Sequence, residues 1–336
     1  MRLSPILAFL LPLVLFSCSR SNPGPSGNGS TDTTSRPNGA SYSWKIIGKT
    51  ASSQPIIDIW FTSPSKGFAA VADGYLWQSL DSGKTWTRIP NTYASTANSL
   101  GMSNLFFANS TYGFAQGLSQ LQVTKDGGNT WSLLSLPTSK AYNIFFTSPS
   151  TGYYGDIDGG LYKTTDSGKT WISNFKSTRT GVDYPVHFLT PDKGFVLCGD
   201  ATFSKTGDGA ASWQQVQKNI FVTGTTTPGY NTLQFVDDLT GFYASQNGVF
   251  KTIDGGQTWK NVYPNGSNVN VIKFFDATTG YYKADRTIYK TTDGGQTWTT
   301  SYQFTTSDTF IGMFFIDSTN GWASTSLGSV LRKEHQ

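Results

Sequence analysis

A phrase of eight residues closing on tryptophan returns six times along this chain, and an internal repeat restricts the fold more than any other feature of a sequence. The copies run from Ser79 to Trp86, Thr124 to Trp131, Thr164 to Trp171, Thr206 to Trp213, Thr252 to Trp259 and Thr291 to Trp298. Each opens on Ser or Thr, with an aspartate two residues later: Asp81, Asp126, Asp166, Asp208, Asp254 and Asp293. An aspartate there can accept backbone N–H groups of its own turn, and the glycine two residues on supplies positive φ. The fourth copy has Ala210 in the glycine place, which predicts a distorted turn.

A second signature, glycine followed by an aromatic, stands 18 or 19 residues ahead of each of these tryptophans. It occurs at Gly67-Phe68, Gly113-Phe114, Gly152-Tyr153, Gly194-Phe195, Gly241-Phe242 and Gly280-Tyr281, and a seventh time at Gly321-Trp322. Before each glycine lies an apolar pair spaced by two, from Ile59/Phe61 to Met313/Phe315, which places both members on one face of a strand. The unit reads as four strands in about 42 residues, the size of one propeller blade. Seven glycine signatures against six repeats leave the last unit one strand short. Trp44, in Ser43-Trp44-Lys45-Ile46-Ile47, supplies the missing strand: seven tryptophans then fall 39 to 46 residues apart. The expected fold is all-β, a seven-bladed propeller over residues 41–336 whose N-terminal strand completes the last blade.

Ahead of it, Arg2 and the apolar stretch Ile6 to Phe16 are too short to span a bilayer, which takes about 20 residues. They read as a signal peptide, residues 1–17. Leu15-Phe16-Ser17-Cys18 resembles a bacterial lipobox, which implies cleavage before Cys18 and lipidation of its thiol. Residues 18–40 form a linker of Ser, Asn, Pro, Gly and Thr, unable to bury apolar surface and expected to be disordered. With Cys18 lipidated, Cys198 has no disulfide partner and reads as a small buried hydrophobe. The expected location is the bacterial cell envelope, periplasmic or surface-exposed, with the lipid as the sole membrane contact.

The eight-residue phrase resembles the Asp-box of sialidases and sortilin-like receptors. Together with the glycine-aromatic strands and the run Tyr289 to Trp298, it resembles the photosystem II assembly and stability factor family. That resemblance covers Ser41 to Gln336 and implies a docking platform for other proteins. Those factors present basic residues on one face, whereas Arg88, Arg179 and Arg286 fall on different blades here.

Enzyme readings are poorly supplied. A sialidase needs a Tyr/Glu pair and an arginine triad, but the sole glutamate is Glu334, and Arg88-Ile89-Pro90 follows a repeat directly. One aspartate per repeat is too few for calcium, which takes 6–8 oxygens. His187 and His335 are the only imidazoles, and His187, between Val186 and Phe188, reads as a core group. No cofactor and no metal is expected. A net charge of +4 with scattered Lys and Arg gives no nucleic-acid footprint.

Propellers bind at one mouth of their channel. The inter-blade segments 88–103, 172–185, 214–231 and 299–311 offer Tyr93, Arg179, Asp183, Tyr184, Tyr230, Tyr302 and Asp308, and a second-to-third strand turn adds Asp285 and Arg286. Tyr and Arg are common anchors of binding sites. The expected partner of this monomer is another envelope protein. The alternative is a glycan, bound or cleaved by paired aspartates among Asp183, Asp285 and Asp308. Those three are expected to be solvated and more than about 10 Å apart, beyond glycosidase spacing.

Overall fold

The computed structural model describes residues 42–90, 92, 104–117, 120–137, 141–156, 160–176, 185–198, 202–218, 220, 233–245, 248–263, 269–284 and 286–335. These form seven four-stranded antiparallel sheets arranged as the blades of a ring. Six blades are consecutive in sequence, the first running from Ile56–Phe61 through Gly67–Val71 and Leu76–Ser79 to Thr87–Arg88. In the seventh, Phe310–Phe315, Gly321–Thr325 and Ser329–His335 are joined by Tyr42–Lys49 as the fourth strand. Tyr42 pairs with His335 and Trp44 with Lys333. The expected closure by the N-terminal strand is therefore present.

One packing motif explains both signatures. In every blade a phenylalanine ending the first strand lies opposite the glycine opening the second, as Phe61 does Gly67 and Phe107 does Gly113. A Cβ on Gly113 would sit 2.4 Å from the Phe107 ring, closer than any carbon can approach, so only glycine admits the ring. The aromatic after the glycine then stacks on the next blade's phenylalanine. Phe114 meets Phe146 at 3.6 Å, Phe195 meets Phe235 at 3.7 Å and Phe242 meets Phe274 at 3.4 Å. Trp322 closes the ring on Phe61 at 3.8 Å. Each phenylalanine also takes the edge of its own blade's tryptophan, Phe107 that of Trp131 at 6.0 Å. The core thus runs between the blades, and aromatic stacking adds to the burial of large apolar area.

The aspartate turns are alike in hydrogen bonding. In the second blade Thr130 donates its N–H to Asp126 Oδ1 at 2.9 Å and its hydroxyl to Oδ2 at 2.6 Å. Thr124 donates to Oδ1 at 2.8 Å, and the Trp131 indole N–H reaches the Gly128 carbonyl at 3.2 Å. The expected distortion at Ala210 is corrected. Ala210 adopts φ 64°, and Ser212 still donates to Asp208 at 2.9 and 2.6 Å. Trp86, Trp131 and Trp171 donate within their own turns, whereas the fourth tryptophan donates elsewhere. Trp213 donates to Asn174 Oδ1 of the preceding blade at 3.2 Å, while Asn174 donates to the Ala210 carbonyl at 2.5 Å.

Candidate binding face

Because neighbouring strands are antiparallel, the first-to-second and third-to-fourth turns of each blade lie at one end of the ring. The aspartate turns sit there, hydrogen-bonded to the first-to-second turns: Ser82 N–H to Ser65 O at 2.9 Å, Gly127 to Thr111 at 2.8 Å. The second-to-third turns and the connections between blades lie at the opposite end. The described candidates, Arg286, Tyr302 and Asp308, belong to that opposite end. Tyr93, Arg179, Asp183, Tyr184, Tyr230 and Asp285 lie outside the described residues.

Arg286, Tyr302 and Asp308 are described, and the structure gathers them where the sixth blade meets the seventh. Arg286 and Phe304 exchange backbone and side-chain bonds: Phe304 N–H to Arg286 O at 2.9 Å, Arg286 Nη2 to Phe304 O at 3.1 Å. Tyr302 packs edge-on to Phe304 at 5.2 Å and to Phe310 at 5.9 Å. Burial, helped by the Asp308 carboxylate, pushes the Tyr302 phenol up. Asp308 is not solvated, contrary to expectation, being only 5% exposed. It accepts from Thr309 N–H at 2.9 Å, Ser326 hydroxyl at 2.9 Å and Leu327 N–H at 3.1 Å. Its carboxylate pins the second-to-third turn of the last blade, while the half-buried Arg286 keeps a guanidinium at the same junction.

The channel has a layer that the sequence reading did not isolate. One residue before each glycine-covering phenylalanine stand Trp60, Phe106, Phe145, His187, Gln234, Lys273 and Phe314. Trp60 lies 5.2 Å from Phe106 and 4.8 Å from Phe314, and Phe106 lies 5.7 Å from Phe145. Large rings therefore fill one side of the channel. On the other side polar side chains bridge the inner strands: His187 Nδ1 accepts Phe235 N–H at 3.1 Å, and Gln234 exchanges two bonds with the Phe274 backbone at 2.7 and 2.8 Å. Burial first, then Lys273, pushes the His187 imidazole down to about 3. It is neutral at ordinary pH and serves the core, in keeping with its apolar neighbours in sequence. The register of the apolar pairs, read one residue inward, was the signal that could have found this layer.

Among the described residues no group of three His, Cys, Asp or Glu could hold a metal ion. The chemistry on offer at the described mouth is a guanidinium beside aromatic rings, an arrangement suited to carboxylate-bearing, partly apolar ligands such as peptides.

A family model described as photosynthesis system II assembly factor YCF48 matches residues 36–183 and 178–300. The chain belongs to this family. A curated relative, the photosystem II assembly lipoprotein Ycf48 of Synechococcus sp. (strain CC9902), is 28% identical over 142 residues, 41% of this chain and 42% of its own. The match thus spans less than half the length of that relative. A solved structure of YCF48 bound to D1 peptide superposes with a TM-score of 0.69 at 16% identity, covering 88% of this chain and 97% of that one. YCF48 from Cyanidioschyzon merolae gives 0.65 at 16% identity over 87% and 98%. At these identities the superpositions speak for the fold, and the family match for the kinship.

Proposed function

We propose that this YCF48-family propeller is an exported, lipid-anchored platform that docks protein partners through peptide segments at the mouth opposite the aspartate turns. Membership of an assembly-factor family carries the reading, and a YCF48 structure bound to a peptide of D1 supports a protein as the kind of partner. The rings filling one side of the channel favour binding on the mouth over threading through it. Arg286, with Tyr302 and Phe304 beside it, is the described group best suited to a peptide carboxylate. Lipidation at Cys18, and with it a place in the cell envelope, completes the reading.

Affinity capture from solubilised membranes with the mature lipoprotein tests it. Envelope proteins should be enriched, and Arg286→Glu should reduce the enrichment when both proteins are compared well below their melting temperatures. Retention of glycans without any protein partner would replace this reading with a carbohydrate-binding one.

A further inference from the structure

No further inference is drawn: the strongest candidate, the surface patch that exposed Leu239 and Ile253 form on two adjoining turns of the fifth blade, is an unpartnered apolar pair, and nothing in the structure shows what covers it.

Discussion

The indole of Trp44 lies edge-on to the ring of Phe315, 5.6 Å between centroids and 80° between planes, although the two come from opposite ends of the fold. The same relationship recurs in the other blades between residues close in sequence, as between Phe274 and Trp298 at 6.0 Å. Trp44 is buried, and replacing such an indole with alanine costs about 3–5 kcal/mol. Trp44→Ala should therefore lower the melting temperature about as much as Trp86→Ala. A negligible loss would show that the first strand contributes little to the closed ring.

Gly113→Ala should be as damaging as a larger core change, because its methyl would lie 2.4 Å from the Phe107 ring. Overpacking of this kind costs about 1–3 kcal/mol. Phe107→Leu, which makes room, should recover part of the loss in combination, so that a double-mutant cycle gives a coupling of opposite sign to either single cost. Strict additivity of the two denaturation midpoints would contradict the close approach.

Acid should destabilise the propeller in two stages. His187 is pushed from 6.5 to about 3, by burial first and by Lys273 second. The Asp126, Asp166, Asp208 and Asp293 carboxyls are drawn from 3.8 to about 2 by the hydroxyl and N–H of the Thr or Ser four residues on. Asp81 also lies at about 2, burial raising it and the bonds from Thr85 and Ser79 outweighing that. All these groups take up protons more readily in the unfolded chain, so stability falls as pH falls. The imidazole acts between 6.5 and about 3, the carboxyls between 3.8 and about 2. Melting temperature should decline gently from neutral pH and steeply below pH 4, with His187→Gln flattening only the upper stage. A wild-type melting temperature that stays constant from pH 7 to pH 4 would remove the buried neutral histidine from the account.

Asn174 carries the fourth aspartate turn through its bonds to Trp213 and Ala210. Asn174→Ala leaves an indole N–H and a carbonyl without these partners, a loss of about 1–3 kcal/mol. The chemical denaturation midpoint should fall accordingly, and Asn174→Asp, which keeps only the acceptor, should lie between. Equal stability of the alanine variant would mean that water replaces the amide at no cost.

Blade number and closure were legible because each rests on one residue type that nothing else can replace. Glycine under a phenylalanine and tryptophan at its edge recur at a near-fixed interval, so even the displaced strand at Trp44 could be placed. The polar bonds between blades were not legible. Asp58 Oδ2 accepts Leu105 N–H at 2.8 Å, and His187 and Gln234 accept the N–H of the next blade's phenylalanine, three residue types that share no spacing signature. Which side chain meets which strand depends on the twist of two sheets, and spacing carries no record of it. The mouth was legible only as a set of variable segments. Asp308 resembled its exposed neighbours in sequence, because the groups that bury it, Ser326 and Leu327, belong to a different turn.

The stacking of each blade on the next has a consequence for how the molecule comes apart. An open array of seven units would have six interfaces and two end units held on one side only, from which melting could start and spread. Here Trp322 on Phe61 supplies the seventh interface, and every blade is gripped on both flanks. No unit is an end, so none can fray alone: opening the ring anywhere sacrifices one full aromatic interface before any chain entropy is regained. Unfolding should accordingly be all-or-none in spite of the repetitive sequence, and the seam where the two ends of the fold meet should be the place where a cut in cooperativity would first become visible.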